Sequence, residues 1–295
     1  MTLIVSLLIL LAGLSSCSTS LEEKLNQTTS WGYQLQSYAK PLSLGSSLYR
    51  DKRMWVLDPD FDGQGPQGAE LSKLKKKGAL AIGYLSIGEA ESYRDYFAKM
   101  DKSMLLKENP QWKGNFKVKY WMTGWQKIIF KKVDALIDQG FQGVYLDIVD
   151  GFYYFKDKKL RANQMVSFIA SIRERALLKT DEFLIIQQNA PTLYQYTDQV
   201  ELLFSSVDGL ALEDAFFFGD SAKQEDNAFL PQDYALEAAK VYLERKKKVF
   251  SVEYLKDQKL IKKYAQEMKK GAIVPLVANR RLDGPLIFAD SKTFR

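Results

Sequence analysis

From residue 31 onward, the chain alternates short continuous apolar runs with longer stretches in which apolar residues return every three or four positions. The short runs, at 31–36, 54–57, 79–86, 143–148, 183–188, 209–212, 249–253 and 272–277, predict eight strands buried on both faces. A ninth short run, 116–121, lies inside the long connection after the third. Helical spacing marks 69–77, 123–140, 162–178, 232–247 and 260–268. Gly78, Gly140 and Gly271 stand where three of these stop, and Thr123 stands where one starts.

Eight strands alternating with helices predict an α/β fold with a parallel sheet and right-handed crossovers. Eight such units close into a (β/α)8 TIM barrel of about 250 residues, a single domain over 31–295. A doubly wound open sheet is the competing arrangement. It finds no support in the first strand, which no Gly-x-Gly-x-x-Gly follows, and no phosphate-binding loop motif occurs anywhere.

Composition narrows the chemistry. The chain has no histidine, which excludes a Ser-His-Asp triad, a Cys-His pair and His-ligated zinc. Its formal charge is +6, but Lys and Arg fall in helix-like runs such as Lys73 to Lys77 and do not form a stripe interleaved with aromatics. That pattern reads as solvated helix faces, with no nucleic acid as partner. The remaining candidates for chemistry are carboxylates, Lys, Tyr, Ser and oxygen-ligated metal.

The single cysteine is Cys17, so no internal disulfide can form. The apolar run 3–14 before it is too short to span a membrane and has the length of a secretory core segment. Leu14-Ser15-Ser16-Cys17 resembles a bacterial lipobox, although no Lys or Arg precedes the run. The resemblance implies a signal peptide over 1–16, lipidation at Cys17 and a secreted or cell-surface lipoprotein, with Ser18 consistent with the outer membrane. The polar stretch up to residue 30 reads as a flexible tether, 17–30.

In a barrel, function sits where the strands end. The second strand runs into Asp58, the third into Glu89 and Glu91, the fourth into Asp147 and Asp150, the sixth into Glu213 and Asp214, and the seventh into Glu253 and Tyr254. Tyr33 lies in the first strand, Tyr120 in the ninth run and Asn189 after the fifth strand. Five of the eight rims carry a carboxylate directly after apolar residues. Two acids flanking a cleft are the minimum for glycoside hydrolysis: one protonates the leaving oxygen, the other attacks or activates water. Asp147 and Glu213 are the best pair, since each closes a buried-strand sequence. Glu89 and Glu253 are reserves, with ion pairing to Arg280 or Arg281 as the alternative.

Several segments together resemble glycoside hydrolase family 114, the endo-α-1,4-polygalactosaminidases and related extracellular barrel proteins. They are Trp31-Gly32-Tyr33-Gln34-Leu35-Gln36, Gly83-Tyr84-Leu85-Ser86-Ile87-Gly88-Glu89-Ala90-Glu91, Val118-Lys119-Tyr120-Trp121, Gly143-Val144-Tyr145-Leu146-Asp147 and Gln188-Asn189-Ala190. The resemblance implies a glycosidase acting on a cationic galactosamine polymer, such as a biofilm matrix. Glu213 would be the acid/base and Asp147 the nucleophile or charge stabiliser, roles open to exchange. Tyr33, Asp58, Glu89, Tyr120, Asp150, Asn189, Glu253 and Tyr254 would bind substrate. No cofactor is implied, and a monomer is expected.

Two rival readings remain. One is a non-catalytic polysaccharide-binding lipoprotein on the same barrel. The other is an oxygen-ligated metal site on Asp58, Asp60 and Asp62, a spacing like the opening of a calcium loop. Ala69 stands where that loop needs its closing Glu, so no metal site is assigned.

Overall fold

The computed structural model describes residues 19–36, 53–60, 68–219, 224–269 and 271–283. Eleven strands occur among them: β1 (Trp31–Gln34), β2 (Met54–Leu57), β3 (Leu80–Ser86), β4 (Glu89–Glu91), β5 (Leu105–Glu108), β6 (Asn115–Val118), β7 (Gly143–Asp147), β8 (Leu184–Gln188), β9 (Gly209–Glu213), β10 (Lys248–Glu253) and β11 (Val274–Val277). Eight form one sheet in the order β1-β2-β3-β7-β8-β9-β10-β11, and every pairing in it is parallel. The first and last strands meet: the Trp31 indole donates to the Val274 carbonyl at 3.2 Å, and Leu35 N–H to the Leu282 carbonyl at 2.8 Å. The result is a nearly closed (β/α)8 barrel, with each of the eight predicted strands in place.

Both faces of the barrel strands are apolar because both are covered. One set of alternate residues fills the lumen: Trp31, Tyr33, Val56, Ile82, Tyr84, Tyr145, Ile186, Ala211, Phe250, Val252 and Tyr254. The other set, including Trp55, Leu85, Val144, Ile185, Leu210 and Val249, meets the helices. The helix Thr123–Gln139 buries Trp125, Ile129, Val133 and Leu136 on one stripe and ends at Gly140, whose φ is 98°. It packs so closely on β3 that a Cβ at Gly83 would meet Leu136.

The ninth run lies outside the barrel, in the connection where the sequence places it. It supplies β6, the centre of an antiparallel sheet β4-β6-β5 that is inserted between β3 and β7. The stretch expected as a tether, by contrast, is ordered from Ser20 on. The helix Leu21–Asn26 carries a complete capping box from Ser20 and Glu23 and buries Leu25 in the lumen cluster. Lys248 Nζ donates to the Asn26 carbonyl at 2.9 Å, tying the helix to the start of β10. Capping and one apolar anchor together order a segment that composition alone marks as polar linker. Cys17 and the apolar run before it lie outside the described residues. Among those described, no helix is long and apolar enough to cross a membrane.

Candidate active site

The C-terminal ends of the barrel strands open into a cleft of about 910 Å³. Asp147 closes β7 and Glu213 closes β9, with β8 between them. Each lies two residues past a lumen-facing side chain, Tyr145 or Ala211, so both carboxylates enter the cleft from its floor.

Asp147 accepts from the Tyr84 phenol at 2.5 Å through Oδ2 and from the Ile148 N–H at 2.8 Å through Oδ1. Burial, and then the negative charge of Glu213, push its carboxyl well above the usual carboxylate range; these two hydrogen bonds oppose the rise. Glu213 is clamped. Its Oε2 accepts from the Gln188 and Asn189 side-chain amides, the latter at 3.0 Å, and its Oε1 accepts from the Tyr254 phenol. Asn189 Oδ1 in return accepts the Glu213 N–H at 3.0 Å. The Arg280 guanidinium lies 3.9 Å from the Tyr254 ring centroid and pairs with Asp214 at 2.7 Å.

Backbone strain concentrates here. Ile148, Asn189, Ala190 and Asp214 have φ of 58°, 55°, 49° and 52°, the left-handed region that side-chain-bearing residues rarely occupy. All follow directly on the tips of β7, β8 and β9. For a β-branched residue such as Ile148 this is a costly conformation, of order 1–3 kcal/mol, and such strain gathers at functional sites.

A second acidic group stands beside the pair. Glu89 on β4 is fully buried yet lines the cleft, as does Asp150. Glu89 Oε1 accepts from Asn109 at 3.0 Å and Tyr154 at 3.4 Å, and the side chain of Asn115 also favours its charged form. Burial pushes both carboxyls up, Asp150 to about 6 with the charge of Glu89 adding to it.

The other expected site residues divide. Tyr33 lines the cleft, and Asn189 and Tyr254 do so while holding Glu213. Asp58 sits at the cleft wall, but the Arg94 guanidinium takes both its oxygens at 2.7 Å, which leaves it a structural partner. That also removes it from the Asp58, Asp60, Asp62 metal reading, and Asp62 lies outside the described residues. Among these, no cluster of three or more Asp, Glu or Cys could hold a metal ion.

Two expectations fail on geometry. Tyr120 is buried outside the cleft, where it donates to the Arg161 carbonyl at 2.9 Å. Glu253 points away from the lumen: its neighbours Val252 and Tyr254 face inward, so it faces the helix layer. There it accepts the Phe216 and Phe217 N–H groups at 3.0 and 3.2 Å. Neither Glu89 nor Glu253 pairs with Arg280 or Arg281, which bond Asp214 and Asp283 instead.

The sequence reading did not single out Gln188 as a clamp, Arg94 as the ligand of Asp58, or the contributions of the inserted sheet, Asn109 and Lys117. Trp31 and Tyr145 are core. The six exposed aromatics among the described residues, Tyr93, Trp112, Tyr153, Tyr154, Phe218 and Tyr234, all line the cleft. Exposed rings confined to one cleft suit stacking on sugar faces.

A model of the family described as Glycoside-hydrolase family GH114 matches residues 15–294. An uncharacterized protein of Methanocaldococcus jannaschii is 41% identical over 208 residues, 66% of this chain and 59% of the relative, so the chain spans under two thirds of that protein. An uncharacterized protein of Deinococcus radiodurans is 31% identical over 88% of this chain and 83% of its own length. Among solved structures, Aspergillus fumigatus Ega3 in complex with galactosamine superposes with a TM-score of 0.67 at 19% identity, covering 87% of this chain and 93% of that one. The glycoside hydrolase domain of Pseudomonas aeruginosa PelA superposes with a TM-score of 0.70 at 16% identity, covering 87% and 97%. At such identities the likeness to the two structures is one of fold.

Proposed function

The chain belongs to glycoside hydrolase family GH114, and from that premise we propose that it cleaves α-1,4-linked galactosamine-containing polysaccharide with Asp147 and Glu213 as its working carboxylates. The observation that carries this is the placement of the two acids. Both stand on the floor of one cleft, one strand apart, each held by a tyrosine phenol and each followed by a strained backbone residue. Two held carboxylates are what the reaction needs: one delivers a proton to the glycosidic oxygen, and the other meets the charge developing at the anomeric carbon. The galactosamine bound by Ega3, together with the acids around this cleft, supports an amino sugar as the unit recognised.

Family resemblance gives Glu213 the acid/base role and Asp147 that of nucleophile or charge stabiliser. Burial and the charge of Glu213 both raise the Asp147 carboxyl, which keeps the exchanged assignment open. Lipidation at Cys17 and export to the cell surface complete the proposal, on the lipobox-like segment alone.

The test is reducing-end release from a partly deacetylated α-1,4-galactosaminan, with Asp147→Asn and Glu213→Gln beside the wild type. Loss in both variants supports the pair. Azide rescue of the alanine variants then separates the roles by the configuration of the glycosyl azide formed: azide standing in for a nucleophile gives the inverted product, and azide attacking the glycosyl-enzyme of an acid/base variant gives the retained one. Binding without release by the wild type would turn the reading to a non-catalytic polysaccharide-binding protein.

A further inference from the structure

We infer that Arg280 is a positioning residue that holds the Tyr254 phenol on Glu213, so that the loop after the last barrel strand sets the geometry of one floor acid. The inference deepens the proposed glycosidase reading and rests on it for the part Glu213 plays in the reaction.

Arg280 lines the cleft, but its bonds run to the protein. It follows β11 in the turn whose Leu282 carbonyl accepts from Leu35 and closes the barrel. Its backbone N–H donates to Glu225 Oε1 at 2.9 Å, its Nε to the Gln224 carbonyl at 2.9 Å and its Nη2 to Asp214 at 2.7 Å. Only 12% of the side chain is exposed. Held in this way, the guanidinium carbon sits 3.9 Å from the centroid of the Tyr254 ring, and the Tyr254 phenol donates to Glu213 Oε1. Asp214, the anchor, directly follows Glu213. In an extended strand two consecutive side chains point to opposite faces. The left-handed turn at Asp214, with φ of 52°, brings both into the cleft. The strain at the tip of β9 thus delivers the carboxylate that grips Arg280.

A cation over the face of a tyrosine acts in two ways. It fixes the ring, because the attraction weakens as the ring slides from beneath it. Its charge also opposes the upward push that burial and Glu213 exert on the Tyr254 phenol, which makes that phenol a better donor to a carboxylate. The Tyr84 phenol on Asp147 instead faces the charge of Glu91, which acts in the opposite sense. The two tyrosine clamps therefore differ in the charge that each phenol meets.

The test is a double-mutant cycle on reducing-end release by the full chain from a partly deacetylated α-1,4-galactosaminan. Arg280→Met, similar in length and without charge, is expected to lower kcat roughly tenfold with KM within about twofold of wild type. In a Tyr254→Phe background the same substitution is expected to cost less than about twofold more, since the phenol through which it acts is gone. Losses that multiply, or a raised KM with kcat unchanged, would overturn the inference. Thermal unfolding checks the fold. If Arg280→Met does not fold, Asp214→Asn, which loosens the guanidinium, takes its place with the same expectations. The crystal structure of the variant is a readout that needs no activity. It is expected to show Tyr254 turned off Glu213, with Gln188 and Asn189 still on the other oxygen. A Tyr254–Glu213 bond left in place would overturn the inference whether or not the protein hydrolyses the polymer. No release by the wild type, with Tyr254 displaced in the variant, ends the glycosidase reading and leaves Arg280 its positioning role.

Discussion

The phenol of Tyr84 donates to Asp147 Oδ2 at 2.5 Å across the β3–β7 step, so a strand neighbour stabilises the charged form of a central carboxyl. The bond opposes the upward push that burial and Glu213 exert on Asp147. Tyr84→Phe removes it, and the Asp147 carboxyl rises further. The limb of the pH–rate profile that reports Asp147 is expected to move to higher pH. With a net worth of about 1.5–3 kcal/mol for a hydrogen bond to a charged group, kcat is expected to fall roughly tenfold to a hundredfold. A profile that does not move would separate Tyr84 from the proton on Asp147.

Glu253 is expected to affect stability and not sugar recognition. Its two oxygens accept the N–H groups of Phe216 and Phe217 in a fully buried setting. Glu253→Ala leaves both donors unsatisfied at about 1–3 kcal/mol each. Urea unfolding should show a midpoint lowered accordingly, while KM at low temperature stays near the wild-type value. A raised KM with unchanged stability would restore the substrate-binding expectation.

Asp150 links stability to pH. An unfolded Asp titrates at 3.8, whereas burial and Glu89 raise the folded carboxyl to about 6. Between these values the folded state holds more protons, so stability falls as pH rises from about 4 to about 6. Asp150→Asn removes this contribution. The melting temperature of the variant relative to wild type should rise across that window and level off above it. The corresponding gain is at most about 3 kcal/mol. A constant difference across the window would contradict the buried, raised state of Asp150.

The helix Leu21–Asn26 is expected to be part of the folding unit. Leu25→Ala empties a position in the lumen cluster and should cost about 2–5 kcal/mol in denaturant unfolding. A chain beginning at Trp31 should be destabilised further, because Asn26, the partner of Lys248, goes with the helix. Unchanged unfolding in both would return the segment to the role of a tether.

Much of this was legible in advance for a physical reason. Strands covered on both sides must be continuous apolar runs, and a carboxylate can follow such a run only where the strand leaves the core. Val144-Tyr145-Leu146-Asp147 and Leu210-Ala211-Leu212-Glu213 therefore announced both the barrel and its two floor acids. The same apolarity hid which side chains face the lumen. When both faces are hydrophobic, the alternation that assigns inside and outside disappears, and one residue of parity separates Tyr254 on Glu213 from Glu253 behind the strand. Chain closure decided the rest. Gly88 packed on the backbone around Ile148 sets Glu89 beside Asp150, and the inserted sheet carries Asn109 and Lys117 over the cleft. These contacts join positions 20 to 60 residues apart through backbone approach. The sequence alone determined the strands, their tips and the acids on them; only the tertiary structure decided which acids share a site, because that depends on register and close packing between distant segments.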